Sequence, residues 1–227
     1  MMVRQGDLRY KLVGSERKTM SIYVERDGSV LVRAPRRTPK EQIGAIMNKK
    51  KFWVYKSISE FQELNQSRVS RKIASGEGFL FLGKSYRLMI QKGLKAPLSL
   101  DQSHFLLDED ATDRARELFI NFYRRKGKTH ITSRVAYFKA KFGLDPGRVR
   151  VLDLKNRWAS RSENRLNFHW KVVLAPLAII DYIVVHELAH CRYPKHNLAF
   201  WELVESVMPD YREKKDWLRK NGASLDI

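Results

Sequence analysis

The chain contains almost no cysteine and no long apolar segment. Of its 227 residues one is cysteine, Cys191, so no disulfide can form within the chain. No run of about eighteen apolar residues occurs, so we expect neither a membrane-spanning helix nor a membrane partner. The first residues lack the apolar core of a secretory signal. Together these absences predict a cytoplasmic protein rather than a secreted, disulfide-stabilised one.

Acidic residues are scarce as well. The chain has 25 Asp and Glu against 44 Lys and Arg, a formal net charge of +19. Such an excess favours a polyanionic partner, such as nucleic acid, nucleotide phosphates or an acidic protein. The alternative is a basic surface that is simply solvated. The densest basic region is 109–142, the first candidate for a surface that contacts phosphates.

An H-E-x-x-H motif at 186–190 points to chemistry. On a helix, His186 and His190 project from one face about a turn apart, so both can bind one Zn²⁺. Glu187 beside them can take a proton from a water on that metal. His196, just past Pro194 where the helix should end, can return as a third ligand. Three protein ligands leave one position open, which is typical of a catalytic zinc site with one ion per chain.

The surroundings of the motif strengthen this interpretation. The segment 179–189 is apolar nearly all round, as expected of a buried helix. Burying two histidines and a glutamate there is costly unless a metal compensates them. The alternative is a structural helix whose histidines are hydrogen-bonded at its edge. Cys191 could close a structural zinc site, but it points about 100° away from its neighbour His190.

The periodicity predicts an α+β protein in two parts. Residues 1–108 read as a β-rich region with one helix over about 39–64, and residues 109–227 as a helical, metal-bearing region. In the second part the H-E-x-x-H helix is expected to pack on a small sheet. Gly127 is expected to separate two helices, the second of which ends at Gly143. We see no internal repeat, and the two parts could form one continuous domain.

Further sequence motifs accompany the H-E-x-x-H segment. They are Arg157-Trp158-Ala159-Ser160, 166–170, Leu174-Ala175-Pro176, 180–190, His196, Phe200-Trp201, Met208-Pro209-Asp210-Tyr211 and Trp217-Leu218, with Arg17-Lys18-Thr19 and 81–86 nearer the start. In these segments the chain resembles the YgjP-like metallopeptidase family, closely over about 150–222 and more loosely towards the N-terminus. The order and spacing of so many elements is far more specific than the H-E-x-x-H motif alone.

The resemblance implies a zincin-like fold and a zinc-dependent hydrolase. By it, His186, His190 and His196 are the zinc ligands, and Glu187 is the catalytic acid and base. The family segment G-S-C-S is Ala159-Ser160-Arg161-Ser162 here, so this chain lacks both the glycine and the thiol. Some members of the family resemble UTP pyrophosphatases rather than peptidases.

Three functions follow as hypotheses. The first is a metallopeptidase acting on a peptide, with residues 164–170 as the strand that holds the substrate backbone. The second is a nucleoside-triphosphate (UTP) pyrophosphatase that uses the same metal site. The third is a nucleic-acid-binding module with a structural zinc.

The candidate substrate residues are basic or aromatic. For the pyrophosphatase, arginines near the motif would hold the phosphates. Those arginines are Arg157, Arg161, Arg165 and Arg192. His169 could orient the substrate, although a structural role in a strand is the simpler interpretation. Tyr211 could donate to a developing oxyanion, although a packed tyrosine at a helix start is the simpler interpretation. Trp201 is most simply a core residue.

Overall fold

A computed structural model describes residues 1–25, 27–65, 71–154, 157–162 and 164–227. The described chain is an α+β protein, as the periodicity predicted. It divides into two compact units, Met1–Ser67 and Arg68–Ile227. Among the helices described, none is both long enough and apolar enough to cross a bilayer.

The first unit is a four-stranded sheet followed by one long helix. Its elements are β1 Met2–Gln5, β2 Leu8–Ser15, β3 Ser21–Val24, β4 Val30–Pro35 and α1 Lys40–Asn65. The helix predicted over 39–64 is therefore confirmed. It begins directly after Pro39, whose carbonyl accepts the first bond of the helix, from Ile43 N.

The strand order of this first sheet is β1-β2-β4-β3. Strands β2 and β4 run parallel, while the two outer pairs are antiparallel. Alternate residues of each strand face inward, where Tyr10, Val32 and Ala34 meet Ile43 and Met47 of α1. The other face of the sheet is turned to solvent.

The second unit holds two sheets and four helices among its described residues. Its strands are β5 Gly78–Phe81, β6 Lys84–Gln91, β7 Leu98–Leu100, β8 His104–Asp108, β9 Arg148–Leu152, β10 Ala159–Ser162 and β11 Arg165–His169. Its helices are α2 Ala115–Phe142, α3 Leu177–Ala189, α4 Leu198–Val207 and α5 Tyr211–Asn221. Short 3₁₀ turns lie at Glu109–Arg114, Trp170–Leu174 and Gly222–Ser224.

The first sheet of the second unit repeats the topology of the first unit. Its order is β5-β6-β8-β7, with β6 and β8 parallel and the outer pairs antiparallel, and a long helix again follows. No repeat was expected from the sequence. Alternating apolar residues fix which face of each strand is buried, so two sheets can share a topology without identical residues.

The boundary between the units differs from the expected one near residue 108. The sheet at 78–108 shares its core with α2: the rings of Phe79 and Phe119 stack with centroids 4.2 Å apart, and Phe105 lies 5.0 Å from Phe119. Strand content changes near 108, but the hydrophobic core does not. The structural division therefore falls earlier, between Ser67 and Arg68.

Helix α2 is continuous where two helices were predicted. Gly127 lies buried within it and does not end it. A Cβ at Gly127 would come within 2.7 Å of Val173 Cγ1, so glycine here lets the helix approach the 3₁₀ turn closely. The predicted end at Gly143 is confirmed, because Gly143 caps the helix in the left-handed conformation with φ 61°.

Part of the basic charge on α2 is neutralised within the fold. Arg134 forms a two-pronged ion pair with Asp181 of α3, with N–O distances of 2.5 and 2.8 Å. Lys139 lies 3.7 Å from Asp145. Exposed cations such as Arg125 and Lys128 remain on the helix. The region 109–142 therefore contributes to the packing of the unit as well as to its charge.

Candidate metal centre

Helix α3, which carries the H-E-x-x-H motif, is largely buried among apolar residues. It packs against α2, α4, α5 and strand β10. Its residues Ile180, Val184, Val185 and Leu188 are fully buried. The helix ends at Ala189 and His190 is its C-cap residue, four residues before Pro194, where the sequence placed the end. The early end lets the chain turn back towards the helix before α4 begins.

The three predicted ligand histidines converge. Nitrogen atoms of His186, His190 and His196, one from each ring, all lie within 4.8 Å of one another. We call these three residues the histidine triad. Nε2 of His186 lies 3.0 Å from Nε2 of His196. Nδ1 of His190 lies 3.0 Å from the carbonyl oxygen of Tyr193, which fixes the orientation of the ring and leaves Nε2 for another partner.

The donor set fits a zinc ion. With Zn–N bonds of about 2.0–2.1 Å, two nitrogens of a tetrahedral site lie about 3.3 Å apart. The 3.0 Å separation of His186 Nε2 and His196 Nε2 is close to that value. Among the residues described, the triad is the group of histidine, cysteine and carboxylate side chains that could hold a metal.

Two histidines of the triad, His186 and His196, are held in their neutral, metal-binding form. Burial lowers the pKa of His186 to about 3, and the charges of His190, His196 and Lys215 act in the same direction. Partial burial lowers the pKa of His196 too, together with the charges of His190 and Lys215. A neutral imidazole presents the lone pair that a metal needs, so no proton has to be displaced from these two rings at neutral pH.

Phe200 forms the floor beneath the triad. Its ring centroid lies 5.0, 4.6 and 4.8 Å from the rings of His186, His190 and His196, and it is fully buried. Helix α4 presents this ring because Asn197 caps the helix, its side chain accepting a bond of 3.0 Å from Phe200 N. The apolar floor restricts the histidine rings and keeps water from the buried side.

Glu187 lies inside the protein with only 6% of its surface exposed. Burial raises the pKa of its carboxyl group to about 7, while the positive charge of Arg157 opposes this shift. A cation at the triad would lower that pKa further, because it favours the charged carboxylate. Arg157, one of the predicted substrate arginines, is itself exposed and acts on Glu187 through its charge.

Two aromatic rings, those of Trp201 and Tyr211, stack beside the triad, and only part of this arrangement was predicted from the sequence. Trp201 was expected to be a core residue, but its ring stacks on His196 with centroids 5.6 Å apart and is half-buried. Tyr211, a predicted substrate residue, is buried, and its ring stacks on that of Trp201 with centroids 5.2 Å apart. We call these two rings the aromatic wall.

Lys215 completes this wall and was not foreseen. Its Nζ lies 4.3 Å from the Trp201 ring centroid, and its charge lowers the pKa of His186 and His196. The signal was present in the sequence, since Lys215 lies four residues after Tyr211 and so on the same face of α5. The site therefore has a cation on its rim that does not come from the motif.

The remaining predicted arginines are not brought together. Arg161 is exposed on β10 and interacts with the Cys191 thiol just beyond α3. Arg165 begins β11 and lies opposite Arg148 of β9. Arg192 is exposed in the turn after α3. Of the four, only Arg157 acts on a residue of the H-E-x-x-H motif among the interactions described here.

His169 is held by contacts of its own. Its Nδ1 accepts a bond of 3.0 Å from Lys171 N, and its Nε2 lies 3.2 Å from Asp153 Oδ1. Burial lowers the pKa of this ring to about 4, and the Lys171 charge adds to the effect. These contacts cap the 3₁₀ turn Trp170–Leu174, which supports the structural role that the strand position suggested.

The strand nearest to the motif with a free edge is β10. The third sheet has the order β10-β11-β9, so β11 pairs on both sides. Residues 164–170, expected to hold the substrate backbone, include β11. Because β11 is hydrogen-bonded to a strand on each side, a substrate strand cannot pair with it. Strand β10 lies at the edge of the sheet and contacts α3.

Cys191 does not join the triad. Its Sγ points back along the helix, 3.7 Å from the carbonyl oxygen of Glu187. Burial raises the pKa of the thiol, and the charge of Arg161 opposes the shift. The group that could hold a metal therefore has three ligands rather than the four of a closed structural site, within the described part of the chain.

Comparison with known proteins gives two matches. A family model described as "YgjP-like, metallopeptidase domain" matches residues 18–221. Among solved structures, the crystal structure of the metallopeptidase zymogen of Pyrococcus abyssi abylysin is 28% identical. That match covers 38% of this chain and 89% of the other, with a TM-score of 0.36. A search of curated proteins gave no match.

Proposed function

The chain belongs to the YgjP-like metallopeptidase family and is a metal-dependent hydrolase, and from that premise we propose that it is a zinc peptidase with the metal at the histidine triad. The convergence of three histidine nitrogens within 4.8 Å carries this proposal. A site with three protein nitrogens and one open position is typical of catalytic zinc.

The chain's own residues supply the rest of the chemistry. A zinc ion bound at the triad would polarise a scissile carbonyl and make a water molecule more acidic. Glu187, one residue after His186, accepts the proton of that water on its carboxylate and returns it to the leaving amine. Phe200 and the aromatic wall exclude bulk water from one side of the site, which strengthens each charge interaction there.

The substrate backbone would add to the free edge of β10. An extended peptide pairs with an exposed strand edge through main-chain hydrogen bonds, and β10 contacts the helix that carries Glu187. Lys215 on the rim would favour a substrate with a negative group near the scissile bond, since no acidic partner for it is described.

Hydrolysis of a nucleoside triphosphate such as UTP is the second candidate. The observation that favours it is the pair of cations that act on the site, Arg157 on Glu187 and Lys215 on His186. Such side chains hold phosphates as readily as carboxylates. The three-ligand site gives less support to a nucleic-acid module with a structural zinc. We keep the cytoplasm as the proposed compartment, because one cysteine suits reducing conditions.

The test compares Glu187→Gln with the unchanged protein. Metal content is measured by elemental analysis, and hydrolysis is followed with casein and, in parallel, with UTP. We expect one zinc per chain in both proteins and a loss of hydrolysis of about 10²–10⁴-fold in the variant, the usual contribution of a general acid and base. Glu202→Gln, an exposed carboxylate on α4, is the matched control and should keep full activity.

Each outcome assigns a function. Casein cleavage that Glu187→Gln abolishes supports the peptidase. Release of pyrophosphate and UMP from UTP that the same change abolishes assigns the second candidate instead. A variant that retains metal and full activity on either substrate removes Glu187 from the mechanism and contradicts both.

A further inference from the structure

The solvent face of the first sheet carries four cations among neutral residues. Arg4 of β1 lies directly opposite Arg9 of β2, and Lys11, two residues after Arg9, points to the same face. Arg33 of β4 lies one row further along, opposite Val13. All four side chains are exposed. The face also presents Tyr23 of β3, a residue that is 43% exposed and whose ring centroid lies 5.8 Å from the guanidinium of Arg33.

Nothing described on this face balances the charge. The strands β1, β2, β3 and β4 contain no Asp or Glu. The polar contact described for the Arg4 side chain is with the carbonyl oxygen of Gly6, not with a carboxylate. Like charges directly opposite each other, as in Arg4 and Arg9, destabilise an antiparallel pair. Cations that have no anion among their described neighbours favour an external anion as the partner of this face.

The second sheet shows that the topology does not require these cations. Because the two sheets have the same order and equivalent registers, each position of one can be matched to the other. In the order Arg4, Arg9, Lys11, Arg33 and Tyr23, the matching residues are Leu80, Ser85, Arg87, Leu106 and Asp101. One cation of four remains, so the basic face is specific to the first unit.

We propose that the outer face of the first sheet binds single-stranded nucleic acid, independently of the hydrolytic site. Side chains two residues apart on a strand lie about 7 Å from each other. The four cations therefore form a short track that can contact several phosphates of one strand. An exposed aromatic ring beside a guanidinium is a platform on which an unpaired base stacks.

The test measures binding of a labelled oligo(dT) of about 20 nucleotides to the full chain at several salt concentrations. Each phosphate contact adds about 0.7 to the slope of log affinity against log salt for single strands. Arg9→Gln/Lys11→Gln should therefore weaken binding and reduce the slope by about 1.4. Tyr23→Leu should weaken binding at least about fivefold, with the slope unchanged, because it removes stacking and no charge.

The matched control removes the same two residue types from the equivalent strand of the second sheet. Lys84 and Arg87 are exposed on β6, and Lys84→Gln/Arg87→Gln should leave the affinity and the slope unchanged. The proposal is contradicted if this control variant loses as much affinity for the oligonucleotide as Arg9→Gln/Lys11→Gln does. Binding to phosphatidylserine vesicles without binding to the oligonucleotide would also overturn it. Equal affinity for a duplex, with no effect of Tyr23→Leu, removes the single-strand assignment.

Discussion

The two four-stranded sheets have one topology but different contents. Both run antiparallel, parallel and antiparallel in the same order, and each is followed by a long helix. The inner face of the first is built from Val, Ala, Leu and Tyr, whereas that of the second is rich in Phe. The outer face of the first is cationic and that of the second is mixed. Strand order therefore sets neither how a sheet packs nor which side chains its outer face presents.

The inner positions show the difference most directly. Val32 of β4 lies opposite Leu12 and Ile22, and Phe105 of β8 takes the matching position opposite Leu88 and Leu100. Both are fully buried. The Phe105 ring is larger than the Val32 side chain and reaches α2, where its centroid lies 5.0 Å from that of Phe119. Through α2 this aromatic core extends to α3 and the triad.

Truncating these matched positions should give the largest difference in stability. Phe105→Ala is expected to reduce the free energy of unfolding by about 3–5 kcal/mol, and Val32→Ala by about 1–3 kcal/mol, because the ring leaves the larger cavity. Urea unfolding of both variants, followed by circular dichroism, measures this. Equal losses would mean that the aromatic core is not the more tightly packed of the two.

The two units also differ in their buried charged residues. His169, Glu187 and Asp226 are buried in the second unit, and no charged residue is buried in the described part of the first. The pKa of His169 is lowered to about 4, so the unfolded chain binds its proton at a higher pH than the folded chain does. Stability should therefore fall as the pH drops from about 6.5 towards 4.

His169→Gln should remove part of this acid sensitivity. Protonating Nδ1 breaks its bond from Lys171 N, whereas glutamine can accept that bond at any pH. Between pH 7 and pH 5 the unchanged protein should lose about 1–2 kcal/mol more stability than the variant. Denaturant unfolding at both pH values measures the loss. Parallel losses in the two proteins would assign the acid sensitivity to other groups.

The smallest effect on stability is expected at the basic face. Arg9→Gln/Lys11→Gln should change the free energy of unfolding by no more than about 0.5 kcal/mol, with a slight gain because the repulsion between Arg4 and Arg9 is relieved. Thermal unfolding at low salt measures this. A large loss would show that these cations support the fold, and the difference between the two outer faces would then be structural rather than functional.

The convergence of the three histidines was predictable because it depends on local spacing. Helical periodicity places His186 and His190 on one face, and the turn after the helix brings back His196. The wall around them was less accessible to the sequence. Trp201 and Lys215 lie on separate helices, and their stacking depends on how α4 and α5 pack against α3. Of the four arginines predicted from the sequence, Arg157 is the one described as acting on the motif.

The fold was predictable in its class and in helix α1, and less so in its divisions. Gly127 was interpreted as a helix break because glycine has a low helix propensity, but the close contact with Val173 makes glycine favourable there. The boundary near 108 followed strand content, while the actual division follows the core. The repeated topology was not recognised in the sequence, although the registers match Tyr10, Lys11 and Leu12 of β2 to Tyr86, Arg87 and Leu88 of β6. Three similar residues in a row are too few to indicate a repeat without the strand pairing.

By itself the sequence determined the α+β class, the basic character and the spacing of the three histidines, because composition and period are local properties. Only the tertiary structure decided which cations gather on one face, which strand keeps a free edge beside α3 and which rings enclose the triad. These depend on strand register and helix packing between residues far apart in the chain. A shift of one residue in register would move every side chain of a strand to its other face.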